Sequence, residues 1–332
     1  MRVAARPTER FFYGWVIVLV GAVLTFLGTG FYSYSRGVFL PSLAEELAGG
    51  SRFEIAMGFS IAAVTSALVA PFIGGILDKY SPKTVILVGI GFVTGSYLLL
   101  SFCQNLIQFY LIVGIGMGLG MTCMGNLAWH RTIISWFDHW RGRAISLGVL
   151  GASLAGVVMP PLVTSLVEAI GWRSAFVVFA IIVPSILIPL VIYFLKNRPE
   201  EIGEVRDGHV YSEAHKTTEV EDQTESRIWH WKEMIRFPAF WSIGLMFGAM
   251  GCVYSAVMLH LFGHLTDIGL PGSEAAYILS ATALFAALGK PVVGWMSDFF
   301  GARVTIWMAL LFQATSLILL AFASDFFTSL IA

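Results

Sequence analysis

The chain is built around apolar runs of about twenty residues, the length of helix that crosses roughly 30 Å of hydrocarbon. Nine such runs recur, near 13–35, 54–76, 84–102, 107–130, 143–168, 174–195, 238–262, 274–296 and 304–323. In lipid a backbone must satisfy its own N–H and C=O groups, which leaves only helices or closed barrels. Barrel strands are short and alternating, whereas these runs are long and continuous. The composition points the same way: 57% of residues are hydrophobic and 12% charged, with 26 Phe against 20 Lys and Arg. That is roughly half the charged share of a soluble domain. The expected fold class is an all-α membrane protein. Arg2, Arg6 and Arg10 precede the first run, as in a signal peptide, but the run continues to about Phe31 with no small-residue cleavage pattern. It reads as a first span.

One segment departs from the pattern. Between Lys196 and Arg236 the chain is polar and carries Glu200, Glu201, Glu204, Asp207, Glu213, Glu219, Glu221, Asp222 and Glu225. The expected domains are a six-helix bundle over 1–195, an acidic linker over 196–236, solvated and flexible with no site of its own, and three helices within 237–332. Basic residues set the orientation. Arg2, Arg6, Arg10, Lys79, Lys83, Arg141, Arg143, Lys196, Arg198 and Arg303 fall on one side of the alternating loops, and only Arg52 and Arg173 on the other. The N-terminus and the linker are therefore expected in the cytoplasm, and the protein in the plasma (inner) membrane.

The two parts share a repeat. Gly74, Asp78 and Lys83 stand at the same offsets as Gly294, Asp298 and Arg303, each set at an inner loop, after the second and the eighth span. A fold whose second half restarts after six helices accounts for that.

At these residues the chain resembles the major facilitator superfamily. Gly74-Gly-Ile-Leu-Asp78-Lys79-Tyr-Ser81-Pro-Lys83 is similar to the superfamily's loop motif between helices 2 and 3, with Ser81 where a second glycine is usual. Trp136-Phe-Asp-His-Trp-Arg141-Gly-Arg143-Ala, continuing through Gly148, Gly151 and Gly156, resembles the fifth-helix signature of monocarboxylate porters and oxalate/formate antiporters. Tyr13-Gly14-Trp15 and Gly171-Trp172-Arg173 fit the same branch. The resemblance implies a major facilitator-type bundle of six helices plus three of a second six. It also implies a C-terminally truncated sequence, because that fold has twelve. It implies a latch in which each motif aspartate faces a helix of the other half, helix 11 for the first and helix 5 for the second. With helix 11 missing, Asp298 is expected near the start of helix 5, by Arg141 and Arg143, and Asp78 with no partner from the second half, only local ones such as Lys79 or Lys83.

Charge inside a membrane needs a reason. Arg36, near the end of the first run, and Lys290, within the eighth, have no comparably deep acidic residue beside them, which favours an anionic partner. Snorkelling to headgroups is the alternative for both. By resemblance, Lys290-Pro291-Val-Val-Gly294 occupies the place of an Arg-Pro-x-x-Gly pattern whose arginine meets a substrate carboxylate. The aspartate that often precedes it by four residues in proton-coupled porters is Ala286 here, so proton coupling through that carboxylate is unsupported. This favours exchange against a counter-anion or a coupling proton carried by a different residue. Tyr32 lies four residues before Arg36, hence on its face; Asn126 and His130 share that spacing on the fourth run, and Tyr254 adds a hydroxyl to the seventh. These three helices line the family's cavity, and each residue alone also suits an interhelical hydrogen bond.

Other patterns carry less. His260 and His264 precede Asp267, but Leu261 replaces the glutamate of a zinc-protease helix, so no metal site is expected. Gly114-x-Gly-x-Gly-x-Gly120 lies within a span and, with Gly148, Ala152 and Gly156, suits close helix packing. Cys103, Cys123 and Cys252 are far apart. No Walker motif, nucleophile elbow or carboxylate pair occurs, so neither an enzyme nor a cofactor is expected, and nothing implies nucleic acid. The expected partners are the bilayer and a small mono- or dicarboxylate moved as symporter or antiporter by alternating access. The competing reading is a membrane protein that does not transport, or an inactive fragment of a transporter.

Overall fold

The computed structural model describes residues 12–138, 140–207, 233, 236–300, 302–323, 325, 328 and 329; the side chains at 243, 290, 291, 294, 295, 297–299 and 302 lie outside the description. Among these residues the chain is helical and contains no strand. Successive helices are α1 (Gly14–Leu47), α2 (Arg52–Lys79), α3 (Pro82–Ser101) and α4 (Leu106–Trp136). The stretch Arg141–Phe194 follows without a loop. It bends at Gly171, whose φ of 74° and ψ of 162° fall in a region open essentially to glycine alone. Its arms are α5 (141–170) and α6 (172–194). After the linker come α7 (Pro238–Asp267), α8 (Gly272–Phe300) and α9 (Ala302–Ala321). The chain is an integral, multi-pass membrane protein.

Local chemistry sets several helix ends. Ser51 and Ser81 accept hydrogen bonds from the amides of Glu54 and Thr84, and Asn105 from that of Gln108, each satisfying an N–H that the helix leaves unpaired. Two helices outrun their apolar runs. Past Tyr34 the segment Arg36–Leu47 keeps helical geometry, with Pro41 inside it; α4 continues through Asn126–Trp136. Arg36 is therefore eleven residues from the end of α1 rather than at it, about 16 Å at 1.5 Å per residue. Both long helices contain wider turns, Gly30–Tyr34 in α1 and Tyr110–Met117 in α4.

Glycine lets the first six helices cross closely. A Cβ at Gly151 would lie 1.9 Å from the Ala22 carbonyl oxygen, and Cβ atoms at Gly21 and Gly148 would strike the ring of Trp129. Thr25 Oγ1 donates to the Gly148 carbonyl at 2.8 Å across the same crossing. Along α4, Gly114 and Gly118 abut α2, while Gly116 and Gly120 abut α3. At the α5–α6 bend, Trp172 Nε1 donates to Glu46 at 2.6 Å. Arg173 pairs with Glu46, donates to the Cys103 carbonyl at 2.9 Å and lies over the Trp172 ring. The Gly171-Trp172-Arg173 corner thus ties α6 to the end of α1 and to the α3–α4 loop.

The beginning of the linker is largely exposed, as expected, yet it is hydrogen-bonded to the bundle. Over 196–207 the chain forms a strap beneath the first six helices. The Lys196 and Asn197 carbonyls accept from Trp136 Nε1 and Ser135 Oγ at 3.0 and 2.6 Å, and Asn197 Oδ1 accepts from the Lys83 amide at 3.1 Å. Glu204 accepts from the Tyr13 amide at 3.1 Å, where α1 begins. Asp207, buried with φ 56°, accepts from the Asp138 amide at 2.9 Å, just before α5. Carboxylates seat well at such ends because the first N–H groups of a helix carry partial positive charge. Burial, and next the Glu204 carboxylate, push the Tyr13 phenol above its usual pKa.

Candidate functional site

Arg36 follows the widened turn of α1, and its side chain is buried, 9% exposed. It does not snorkel. Its Nη2 donates to both the backbone carbonyl and the hydroxyl of Ser255 on α7, at 3.0 and 2.9 Å. Its Nε is buried with no hydrogen-bond partner among the described residues, and no carboxylate pairs with it there. Two residues earlier, Tyr34 accepts a hydrogen bond from Tyr254 at 3.3 Å. Within the widened turn Ser35 Oγ donates back to the Gly30 carbonyl at 2.9 Å.

On the side toward the first six helices, Arg36 borders a cavity of about 20 Å³ among Tyr32, Phe39, Phe59, Tyr97 and Phe176. That is room for about one water, too small for an organic acid.

Of the residues singled out from sequence, the structure brings Arg36, Tyr32 and Tyr254 together. It places Asn126 and His130 elsewhere. α4 breaks at Gly125, whose ψ is −161°, and Asn126 beyond it is exposed. His130 packs on Trp129, which lies against Gly21. Gly21 is fifteen residues from Arg36 along α1, roughly 22 Å. The backbone at Lys290 lies in α8, but its side chain is outside the described residues. Ser255 was missed: a serine in a span carries no sequence signal that distinguishes a cross-half contact from packing.

The two groups of helices meet at the end remote from the linker. Arg52 at the start of α2 forms a two-point ion pair with Asp267 at the end of α7, so the carboxylate following His260 and His264 is already engaged. A Cβ at Gly37 would lie 2.9 Å from the Met258 carbonyl, and one at Gly156 would strike Ala283 and Tyr34. Toward the linker the groups part, and Phe240, Trp241, Leu245 and Phe247 of α7 are exposed.

Among the expected latch residues, Asp78 pairs with Arg131 on α4 at 2.6 Å, not with Lys79 or Lys83. Lys83 Nζ donates to the Ile192 carbonyl at 2.5 Å. Arg131 lies one helix away in space and 53 residues along the chain, so the pairing follows from how α4 packs beside α2. Arg141 pairs with Asp138 at 3.1 Å, Arg143 and Arg303 are exposed, and a Cβ at Gly74 would meet open space. The surroundings of Gly294 and the side chain of Asp298 lie outside the description, and with them the contact expected between Asp298 and helix 5.

The model of the Major Facilitator Superfamily matches residues 23–332. The chain is 23% identical to the uncharacterized MFS-type transporter YcxA of Bacillus subtilis, covering 90% of this chain and 68% of the relative. It is 25% identical to a probable L-galactonate transporter of Escherichia coli (85% and 60%) and 25% identical to monocarboxylate transporter 13 of Bos taurus (86% and 62%). The chain thus spans about two thirds or less of the length of these curated relatives. In fold it is similar to the crystal structure of a bacterial homologue of the human lysosomal transporter Spinster in an inward-facing, unoccupied conformation. The TM-score is 0.65 at 17% identity, covering 90% of this chain and 64% of the other.

Proposed function

The chain belongs to the major facilitator superfamily, and from that premise we propose that it serves a secondary transporter moving a small mono- or dicarboxylate by alternating access, with no catalytic chemistry of its own. The observation that carries this reading is Arg36: a buried guanidinium whose Nε has no hydrogen-bond partner and which has no carboxylate partner among the described residues. An uncompensated buried cation costs several kcal/mol, and a carboxylate ligand supplies the missing charge and the fork-shaped acceptor pair that a guanidinium fits. The names of two relatives, one for L-galactonate and one for monocarboxylates, support the substrate class.

In this reading the domains are 1–195, 196–236 and 237–332, with the N-terminus and linker cytoplasmic in the plasma membrane. The contact between halves at the end remote from the linker then closes the outer side. Tyr32 and Tyr254 flank the anion, and Lys290 supplies a second cation from α8. Asn126 and His130 contact it only when it lies nearer the cytoplasm. The Gly74–Asp78–Lys83 and Gly294–Asp298–Arg303 loops, with Arg141 and Arg143, act as the conformational latch. With Ala286 where a coupling carboxylate would stand, exchange against a counter-anion is favoured over proton coupling.

The test is counterflow into proteoliposomes with a panel of labelled mono- and dicarboxylates. Arg36→Ala is expected to reduce exchange at least about a hundredfold, since two charge-assisted hydrogen bonds are lost, whereas Arg143→Ala retains the anion preference. Transport of a neutral or cationic solute, indifferent to Arg36→Ala, would overturn the assignment.

A further inference from the structure

Resting on the anion reading of Arg36, we propose that Ser255 is an internal competitor of the substrate, so that anion binding itself breaks a hydrogen-bonded tie between the two halves. The argument is one of guanidinium geometry. A planar guanidinium offers a carboxylate two bidentate edges: side-on through Nε and Nη2, and end-on through Nη1 and Nη2. The remaining pair is screened by its own side chain. Both usable edges need Nη2, and Nη2 is the nitrogen that donates to the Ser255 carbonyl and hydroxyl, at 3.0 and 2.9 Å. A carboxylate cannot bind Arg36 in two-point fashion while Ser255 keeps both bonds.

Ser255 belongs to α7 and Arg36 to α1, 219 residues apart in sequence. The bond it yields therefore joins the two halves. Nearby contacts at the same level, Tyr254 to Tyr34 and Gly37 against Met258, are neutral. The Arg52–Asp267 pair sits at the exposed rim, where ion pairs contribute little. The Arg36–Ser255 bonds are the buried, charge-assisted part of the seam among the described residues. A ligand can shift a two-state equilibrium only by its differential affinity for the two states, and here the difference is structural: the state in which Ser255 is withdrawn presents a complete guanidinium edge. A one-point ligand such as an amide oxygen needs no contact with Nη2 and leaves the tie intact, so the device selects for ligands that bind the guanidinium at two points, as carboxylates do.

The experiment uses the full-length protein with Cys252, the exposed native thiol, changed to Ser, and spin labels at Glu45 and Ser273, which are exposed at the end remote from the linker. Pyruvate and L-galactonate are the probes and acetamide the uncharged control. The label separation in the parent is expected to lengthen with the anions and not with acetamide. Ser255→Ala should lengthen it without any anion and lower the half-saturating anion concentration about threefold to tenfold, the value of one such hydrogen bond; Ser255→Thr, which keeps the hydroxyl, should behave as the parent. Equal half-saturation in parent and Ser255→Ala, with no change of separation in either, would overturn the competitor role while leaving the anion site standing. Failure of both anions to act on either protein, or an equal response to acetamide, would overturn the anion site and this inference together.

Discussion

Among the described residues, the six helices before the linker and the three after it cover a similar range of lengths, yet they are held differently. α1 to α6 are knit to one another by glycine crossings, by the aromatic group of Phe31, Phe39, Tyr97, Phe176 and Phe179, and by the strap beneath them. In α7 and α8 the buried apolar residues, Met258, Leu259, Leu261, Phe262, Leu265, Ala275, Ala276, Ile278, Leu279 and Ala283, cluster at the level where these helices meet the first six. The difference teaches where rigidity and motion reside. In lipid there is no general hydrophobic drive to press helices together. Close approach of backbones and a few polar bonds decide what moves as one body. By that measure the first six helices are one body, and among the described residues the second group is tied to it along the seam at the end remote from the linker.

The largest effect that would break this contrast is expected at the α1–α5 crossing. Gly151→Ala puts a methyl against the Ala22 carbonyl, where only a backbone shift makes room. It should lower Tm by roughly 5–10 °C and reduce the monodisperse fraction in detergent size-exclusion chromatography. An unchanged Tm would show that the first six helices are looser than their crossings imply.

A pair of rim arginines sharpens the comparison. Arg173→Ala removes contacts wholly within the first six helices, to Glu46, the Cys103 carbonyl and the Trp172 face. A loss of about 1–2 kcal/mol, some 3–6 °C in Tm, is expected after discounting for solvent exposure. Arg52→Ala removes the ion pair between the groups and should leave Tm within about 2 °C while lengthening the label separation between positions 45 and 273. If Arg52→Ala destabilised more than Arg173→Ala, the seam would be part of the folded core.

The strap gives a smaller effect. Glu204→Gln keeps the shape but removes the charge at the start of α1, and about 0.5–1 kcal/mol should be lost. Hydrogen exchange is the sensitive measurement, with faster exchange expected at the Tyr13 amide and none at α7. The smallest effect is expected at Gly251→Ala in α7, where a Cβ meets open space. Removing a helix-interior glycine should stabilise by about 0.5–1 kcal/mol, and a destabilisation would reveal a neighbour against that face.

Membrane residence and the succession of long apolar helices were legible in the sequence, because each depends on local quantities: the length of an apolar run and the self-sufficiency of a helical backbone. Helix ends were less legible. Arg36–Leu47 holds glycine, proline and acids, yet it continues α1 because it is packed between α7 and the first bundle. The depth of Arg36 went with it, so a residue that sequence places near an interface is in fact buried. Partners were not legible at all. Arg36 with Ser255, Asp78 with Arg131, and Glu204 with the start of α1 join positions 219, 53 and 191 residues apart. Such pairings follow from the angles at which helices cross and from where glycine lets them touch. Those geometries belong to the packed bundle, and no period or run length along the chain encodes them.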